Sequence, residues 1–491
     1  MSDPRTPVPL TLGIDLGTSA VKVVALGLDN RVLGESASGF ATISASPRQA
    51  EQNPTDWLHA ASCAMSQLHS NLSRELGEKW LERVTAIGIT GQLPTLVCLT
   101  DDGPLTGAVT WQDGRADAWA TQKIHPERRQ QIYKRTGMPI DGRYLAPMLQ
   151  YHFTDRISEV RCILSAKDYL LSELIGRRLT EPSTAAGYGI YDLTQQRFNE
   201  ELCEFWNLPA NLLPPIAPAN SLAGPLSLSG AKLLGLPAGV PVSTGAADSV
   251  CAAYAMSGLD ENIVSISLGT SAIILGTTAQ LRFDDRARYL LTPHVEAGWY
   301  GREMDLLATG TGYRWLSELF AWREGEVDIQ AAKSVPGAHG LCFAPYLAGG
   351  EQGALWNPKL QAAIFGLNLQ HSRSDIARAF LEGVFFEIRR CLEVLVETAP
   401  VEAVMVSGYI VNSSSSTQLL ANILQRPVGT VLDKSPAATG AALLARRIAS
   451  NSGSMPTSHS HRYSSALLTQ PNSQAYGPLY ENYLAKAALC A

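Results

Sequence analysis

The chain has 491 residues, more than one ordinary hydrophobic core accommodates, so its length predicts at least two domains. Charged residues make up 17% and the net charge is −6 without a Lys/Arg-rich run, which argues against a broad nucleic-acid surface and against anchoring to anionic lipid. No segment approaches the roughly 18 apolar residues of a membrane span, and the eight cysteines form no CxxC pair. We therefore expect a cytoplasmic protein with reduced thiols and no nucleic-acid or membrane partner.

The N-terminal part of the sequence predicts three strands, a helix and two further strands. Apolar runs separated by Gly and Asp-Asn turns predict strands in LTLGIDLG, AVKVVALGLD and VLGESASGF. Pro54 and apolar residues at helical spacing predict a helix over NPTDWLHAASCAMSQLHSNL. VTAIGIT and TLVCLTDDG follow as strands, and this order indicates an α/β core.

The second half of the chain repeats this scheme. The string LGTSA occurs at 16–20 and again at 268–272, 252 residues apart from glycine to glycine (269 − 17). The second copy lies in ENIVSISLGTSAIILGTT, a predicted hairpin, and is followed by the helix SDIARAFLEGVFFEIRRCLEVLVETA and the strand EAVMVSGY. STQLLANILQ and SPAATGAALLARRIAS are predicted helices. We expect a duplicated domain, with one copy in residues 1–248 and the other in 249–491, and exposed serine-rich loops at 412–416 and 450–461.

The repeated LGTS turn suits phosphate binding. Gly17 permits close backbone approach to an anion, Thr18 and Ser19 add hydroxyl donors, and Asp15 suits an outer ligand of a divalent cation. For a single copy, a simple hairpin turn is the better interpretation. Two copies, each opening a domain, favour a pair of hairpins that face one nucleotide across a cleft.

A series of longer motifs spreads along the chain in a fixed order. They are GIDLGTSAVKVVAL (13–26), EQNPTDW (51–57), AIGITGQ (86–92), TWQDGRA (110–116), AKDYLL (166–171), GAADSVCAAYA (245–255), ISLGTSAII (266–274), FAPYLAGGE (343–351), AAIFGLNLQHSRSDIARAFLEG (362–383) and SPAATGAALLA (435–445). With these motifs the chain resembles the FGGY carbohydrate kinases, and among them the xylulose kinases. The resemblance implies an α/β fold of two duplicated ribonuclease H-like domains, as in actin and Hsp70, around a central cleft.

The resemblance also implies an activity and its residues. Such enzymes transfer the γ-phosphoryl group of ATP to a sugar hydroxyl with Mg²⁺ at the phosphates, here to a ketopentose such as xylulose, and they often form homodimers. Asp248 matches the general base, although a helix N-cap is an alternative or additional role, and Asp15 matches the acidic residue at the metal. The remaining matches are Gly17, Thr18, Ser19, Gly269 and Thr270 for phosphate, Gln92, Trp111, Asp113 and Arg115 for the sugar, and Gly310, Thr311, Gly312, Gly408 and Asn412 for the nucleotide. For the WQDGR run, an Asp-Gly turn on a surface loop is the alternative.

The sequence departs from the family pattern at several of these motifs. Leu93 and Pro94 replace a Met-His pair that contacts the sugar, and Ser249 replaces the Asn after the catalytic Asp. In the adenosine loop Tyr409 and Ile410 stand where the family has glycines, so that a side chain would clash with the nucleotide or displace the loop. These departures leave two alternatives, a kinase for another ketose or polyol and a catalytically silent homologue that binds sugar or nucleotide as a sensor or scaffold.

Overall fold

The computed structural model describes residues 9–449 and 468–490. The predicted loop at 450–461 lies outside these ranges. Within them, no helix has the length and apolarity that crossing a membrane requires. All eight cysteines are free thiols, as predicted, and six of them are buried.

The strands of the described residues are numbered here in chain order. They are β1 (Leu10–Leu16), β2 (Ala20–Gly27), β3 (Val32–Gly39), β4 (Glu51–Gln52), β5 (Val84–Gly91), β6 (Leu96–Leu99), β7 (Ala108–Val109), β8 (Cys162–Ser165), β9 (Tyr191–Asp192), β10 (Arg197–Phe198), β11 (Leu222–Pro225), β12 (Pro241–Ser243), β13 (Ala246–Ala247), β14 (Ile263–Leu268), β15 (Ala272–Thr278), β16 (Leu290–Pro293), β17 (Tyr300–Leu306), β18 (Cys342–Ala344), β19 (Ala363–Phe365), β20 (Ala403–Gly408) and β21 (Val428–Thr430).

The α-helices are numbered in the same way. They are α1 (Pro54–Leu76), α2 (Asp117–Lys123), α3 (Pro126–Thr136), α4 (Leu145–Phe153), α5 (Ala166–Ile175), α6 (Pro182–Ala186), α7 (Glu200–Phe205), α8 (Leu228–Leu234), α9 (Asp248–Ser257), α10 (Gly310–Leu319), α11 (Glu326–Ala331), α12 (Arg373–Val396), α13 (Ser414–Leu424), α14 (Pro436–Ala449) and α15 (Tyr476–Ala487).

The two large sheets share one topology. In the first sheet β1, β2 and β3 form an antiparallel meander, and β5 and then β12 extend it in parallel on the other side of β1. In the second sheet β14, β15 and β17 form the meander, and β20 and then β21 extend it in parallel beyond β14. The repeated order confirms the predicted duplicated α/β architecture.

A smaller antiparallel sheet in the first half has the strand order β4-β7-β6-β8. Apolar side chains from this sheet and from α3 and α4 share one core, separate from the core under the first large sheet. This unit carries the WQDGR run, which follows β7 directly. It therefore places that run beside the cleft.

Helices α9 and α14 lie between the two large sheets, and glycines let the backbones approach. A Cβ atom added at Gly13 of β1 would lie 1.7 Å from the carbonyl oxygen of Ala438, and one at Gly88 of β5 would lie 1.9 Å from that of Ala441. Helix α14 therefore packs its backbone directly on the first sheet, although it comes from the second half of the chain. The predicted boundary between 248 and 249 falls in the first turn of α9, and where each domain ends stays a prediction.

The serine-rich run at 412–416 is only partly the exposed loop that was expected. Ser413 caps α13, with its side chain accepting a hydrogen bond from the backbone N–H of Ser416 at 3.2 Å. Ser416 is buried, and its hydroxyl donates to Asp328. The prediction was wrong for this end of the run because serines also favour helix N-termini, where their oxygens satisfy free N–H groups.

Candidate active site

A cavity lies between the two domains. One wall is a face of the second sheet, because the register pairs Ile273 with Asp305 and Leu290 with Glu303, and paired residues point to the same side. The opposite wall comes from the first half of the chain and is lined by Thr18, Leu93, Pro94, Trp111, Met138, Arg143, Tyr144, Ser183, Ala186 and Gly187. Asp248 and Ser249 lie at the edge between the two walls.

Asp248 is the first residue of α9, directly after β13. Its Oδ1 accepts a hydrogen bond from the backbone N–H of Ser249 at 2.8 Å, while Ala247 occupies the N-cap position. Burial raises the pKa of Asp248 to about 7, and the nearby carboxylates of Asp15 and Asp305 act in the same direction. Near neutral pH this carboxyl group can accept a proton and release it again, as a general base must.

Asp15 lies at the end of β1, with its side chain 4% exposed. Burial raises its pKa, and Lys22, its cross-strand neighbour, acts in the opposite direction. Its Oδ1 finds no hydrogen-bond partner among the described residues. A buried, unsatisfied carboxylate oxygen next to a second carboxylate fits a Mg²⁺ ion, which uses one or two protein carboxylates together with phosphate oxygens and water.

A buried charged network holds the turn that presents Asp248. The hydroxyl of Ser183 accepts a hydrogen bond from the backbone N–H of Ala247 at 2.9 Å and donates to the carboxylate of Glu181 at 2.8 Å. Lys167 lies 3.9 Å from Glu181 and 2.7 Å from Asp168, and all three side chains are fully buried. Lys167 offers one positive charge to the two carboxylates, and Glu181 also accepts hydrogen bonds from the backbone N–H groups of Ser183 and Thr184, each at 2.8 Å, so the network can fix the position of the turn.

The residues predicted to bind the sugar divide into two groups. Trp111 lines the cavity, and its Nε1–H donates to the hydroxyl of Thr18 at 3.2 Å. Gln92 is 1% exposed and lies behind the cavity, where its amide donates to Gln52 at 2.8 Å. Gln52 in turn donates to the backbone carbonyl of Thr18 at 2.8 Å. Gln92 therefore supports the first LGTS turn through Gln52, and its contact with a sugar stays a prediction.

Asp113 and Arg115 also lie behind Trp111. Asp113 is buried and accepts hydrogen bonds from the backbone N–H of Ala50 at 2.9 Å and from Arg115. Burial acts to raise the pKa of Asp113, but these hydrogen bonds and the charge of Arg115 outweigh it and lower the pKa. Arg115 also pairs with Glu51 of β4. These contacts fix the Asp-Gly turn, which holds Trp111 at the cavity. Contact of Asp113 or Arg115 with a sugar stays a prediction.

Sequence reasoning missed two carboxylates in the cavity wall, Glu303 and Asp305. Glu303 accepts a hydrogen bond from the hydroxyl of Ser249 at 3.0 Å, and burial and the charge of Asp305 raise its pKa well above the usual value. Burial likewise raises the pKa of Asp305 to about 6, against the opposing charge of Arg143. A signal was present in the sequence, because YGREMDL is a buried strand with carboxylates at alternate positions.

A groove on the other side of the second LGTS hairpin carries residues predicted to bind nucleotide. Gly269, Thr270, Gly310 and Asn412 line it. The backbone N–H groups of Gly310 and Thr311 donate to the carbonyls of Gly269 and Thr270 at 3.1 and 3.0 Å, so the start of α10 is docked on the hairpin. The next residues along the hairpin, Ser271 and Ile273, line the cavity. The hairpin therefore separates cavity and groove and borders both.

Gly312 packs into the core and away from the groove. A Cβ atom at this position would lie 3.0 Å from Leu347 and from Phe380. Within the first LGTS turn, the N–H of Gly17 donates to the carbonyl of Ala20 at 3.1 Å and Ser19 is exposed. The assignments of these residues to phosphate and nucleotide stay predictions.

The loop after β20 places the side chains of Tyr409 and Ile410 on opposite sides. Gly408 has φ +104°, and a Cβ atom there would lie 1.9 Å from the carbonyl oxygen of Leu268, so this glycine is required by the close approach. Ile410 turns into the core and is fully buried. Tyr409 packs its ring 4.9 Å from that of Tyr313 and lines the groove. The side chain of Ile410 therefore lies in the core, and that of Tyr409 forms part of the groove wall.

Each half of the chain matches one domain of a single protein family. The N-terminal domain profile of the FGGY family of carbohydrate kinases matches residues 10–255, and the C-terminal domain profile matches residues 264–449. Together the two matches cover much more than half of the chain.

Two relatives of similar identity carry names with different sugars. Gluconokinase of Bacillus subtilis (strain 168) is 25% identical over 436 residues, which cover 85% of this chain and 83% of the relative. Xylulose kinase of the same strain is 27% identical over 440 residues, which cover 88% and 87%. Similarity to these proteins does not distinguish between the two substrates.

The fold is similar to that of solved sugar kinases. The crystal structure of ligand-bound xylulose kinase from Lactobacillus acidophilus superposes with a TM-score of 0.88 at 24% identity, covering 98% of each chain. At this identity the likeness concerns the fold alone. It confirms the expected architecture of two ribonuclease H-like domains around a central cleft.

Proposed function

The chain belongs to the FGGY family of carbohydrate kinases, and we propose that this sugar kinase transfers the γ-phosphoryl group of ATP to a hydroxyl group of a ketopentose, with xylulose as the first candidate. The observation that carries the proposal is the position of the second LGTS hairpin. Thr270 faces the groove and Ser271 faces the cavity, where Asp248 lies. A nucleotide in the groove and a sugar in the cavity would therefore meet at this hairpin.

In the proposed mechanism the cavity orients one sugar hydroxyl towards the γ-phosphorus, and the residues of the chain manage its proton. As the hydroxyl oxygen forms its bond to phosphorus, the O–H proton passes to the carboxylate of Asp248, and the bond between the γ-phosphorus and the bridging oxygen breaks to release ADP. Mg²⁺, when bound near Asp15, would neutralise charge on the phosphates. Ser183 keeps the turn before Asp248 in place.

An ADP-release assay with a panel of acceptors tests this proposal. Xylulose, ribulose, further ketoses, neutral polyols and gluconate are each offered with Mg-ATP, and ADP is measured by enzymatic coupling. We expect turnover with at least one neutral sugar and the highest kcat/KM with a ketopentose. If no acceptor stimulates ADP release above the rate with ATP alone, the kinase proposal fails.

Tyr409 is the reason to consider a second candidate function. A bulky residue in the nucleotide groove could make the protein a catalytically silent homologue that binds sugar or nucleotide without turnover. The structure favours another role, since the rings of Tyr409 and Tyr313 lie 4.9 Å apart, tilted by 47°, and both line the groove as an aromatic wall. Stacking of a base on an aromatic ring is worth about 1–3 kcal/mol. We expect Tyr409→Ala to raise the Kd for Mg-ATP about 5- to 150-fold, while Tyr409→Phe changes it little.

Calorimetry with Mg-ATP measures both variants against the native chain. Millimolar or absent binding by the native chain, or tighter binding after Tyr409→Ala, would favour the silent homologue, because the ring would then obstruct the site. Melting curves show whether each variant is folded.

The raised pKa of Asp248 predicts how activity depends on pH. The base works in its ionised form, and its folded-state pKa of about 7 lies above the ordinary value of 3.8, so the active fraction increases as the pH rises through 7. We expect kcat/KM to increase about tenfold between pH 6 and pH 8 and then to level off. A profile that is flat from pH 5.5 to 8.5, with the enzyme stable throughout, would contradict this role.

A further inference from the structure

The cavity between the two domains, which would hold the acceptor sugar and is called the acceptor cavity below, has two carboxylates in one wall. Glu303 and Asp305 occupy alternate positions of β17, so both side chains point to the cavity face of the second sheet. The neighbours on that face are Ile273, Leu290 and Leu307. The hydroxyl groups of Ser271 and Thr292 also line this wall, and the two acids determine its charge.

The negative charge of these side chains has little compensation nearby. In the described parts of the chain, Arg143 is the one basic side chain that lines the cavity. Its Nε donates to Asp141 at 3.0 Å, and Gln352 can accept a hydrogen bond from its Nη1 at 2.7 Å once the amide is oriented to satisfy both groups. Since Asp141 already balances the guanidinium, Glu303, Asp305 and Asp248 face the cavity as an excess of acids.

Burial makes this excess effective against a charged ligand. Glu303 is 7% exposed, and charges interact more strongly away from water than in it. Burial and the neighbouring acids raise the pKa of Glu303 well above the usual value, whereas the pKa of Asp305 is raised only to about 6, so Asp305 is the carboxylate that carries the negative charge of this wall at pH 7.5. The hydroxyl groups of a neutral sugar donate hydrogen bonds that the carboxylates of the cavity accept. The ionised carboxylate of a sugar acid has no hydrogen to donate to them.

We propose that the charge of Asp305, beside the hydrogen-bonding carboxyl group of Glu303, makes the acceptor cavity selective for uncharged ketoses and polyols and excludes sugar acids such as aldonates. This inference rests on the proposed kinase function and specifies its substrate class. The two acids combine attraction for hydroxyl donors with repulsion of a carboxylate, and a repulsive element of this kind gives a site its specificity. It also separates the two substrates that the relatives' names suggest, against gluconate and for a neutral sugar.

Matched ligand pairs test the proposal. Glucitol and gluconate differ in one terminal group, as do xylitol and xylonate, and each is measured as an inhibitor or substrate of the native enzyme at pH 7.5. We expect the neutral member of each pair to bind at least about tenfold more tightly than the acid. An acid that binds as tightly as its neutral partner, or more tightly, would overturn the proposal.

Two conservative variants locate the effect. Asp305→Asn is expected to reduce the preference for the neutral ligand by about tenfold, because it removes charge and keeps shape. Glu303→Gln replaces a protonated carboxyl group by a neutral amide and is expected to change the preference little, and Asp285→Asn, at an exposed aspartate on the surface, leaves it unchanged. The preference is a ratio measured in one preparation, so a loss of folded enzyme cancels from it.

The outcomes separate this inference from the proposed function. If the native enzyme phosphorylates a neutral sugar but Asp305→Asn keeps the native preference, the inference is wrong and the kinase function stands. If the native enzyme prefers gluconate, the kinase function also stands and the assigned substrate class is overturned. If no acceptor is phosphorylated and no member of either pair binds, both fail.

Discussion

Replacing Asp248 with asparagine is expected to lower kcat by about 10²- to 10⁴-fold, the usual contribution of a general base. The amide keeps the size of the side chain and can still accept the hydrogen bond from the N–H of Ser249, at 2.8 Å in the native chain. It cannot accept the proton of the sugar hydroxyl. We therefore expect kcat and kcat/KM for the sugar to fall together, as they do when an interaction of the transition state is lost.

Steady-state kinetics and calorimetry measure this change. Sugar binding should survive, because Asp248 is one of many groups that line the cavity. Asp285→Asn serves as the matched carboxamide control at an exposed position and should keep native rates. A variant at Asp248 that retains more than about a tenth of the native kcat, in a folded preparation, would exclude this residue as the base.

The second large effect is expected from Gly88→Ala, which acts on stability. An added Cβ atom would lie 1.9 Å from the carbonyl oxygen and 2.3 Å from the carbonyl carbon of Ala441, both backbone atoms of α14. The helix and the first sheet cannot both keep their places, and overpacking of this kind costs about 1–3 kcal/mol, occasionally more. We expect the melting temperature to fall by several degrees or the chain to be recovered unfolded.

Gly39→Ala is the matched control for Gly88→Ala. Gly39 is the exposed last residue of β3 in the same sheet, and a Cβ atom there would meet only the carbonyl oxygen of Ser19, at an ordinary contact distance of 3.6 Å. This variant should change the free energy of unfolding by no more than about 0.5 kcal/mol. Scanning calorimetry compares the two variants. Equal melting temperatures for them would show that α14 does not pack on the first sheet as described.

Much of the fold could be predicted because its signals are local. The meander β1 to β3, the hairpin around the second LGTS turn and the long helix α12 each follow from apolar periodicity and from turn residues that lie within the element itself. The duplication was visible for the same reason, since both copies keep the hairpin and its flanking apolar runs.

The acceptor cavity could be predicted only in part because its walls come from distant parts of the chain. Glu303 and Asp305 lie opposite Arg143 and Trp111 only after the two domains have packed, and no local pattern specifies that contact. Gln92 shows the converse. Its amide suits a sugar, but tertiary packing places it behind the cavity against Gln52. A motif therefore identified the region, and packing decided which of its residues face the cavity.

The aromatic loop at the groove illustrates a further limit. The family pattern has glycines at the positions of Tyr409 and Ile410, so the sequence predicted that their side chains would clash with the nucleotide or displace the loop. In the structure a 3₁₀ turn over Tyr409–Asn412 rotates Ile410 into the core, because burying an apolar side chain is favourable. The substitution of glycines is thus accommodated by the local backbone.

The most direct test of phosphoryl transfer to a neutral sugar is ³¹P NMR of a reaction that contains the enzyme, Mg-ATP and xylulose, with gluconate in a parallel sample. We expect ADP and a sugar phosphate ester to form in equal amounts with xylulose, and much less ester with gluconate. The Asp248→Asn variant should give neither product at the native rate. Release of inorganic phosphate without an ester, or a faster reaction with gluconate than with xylulose, would contradict the assignment of this cavity to a neutral acceptor.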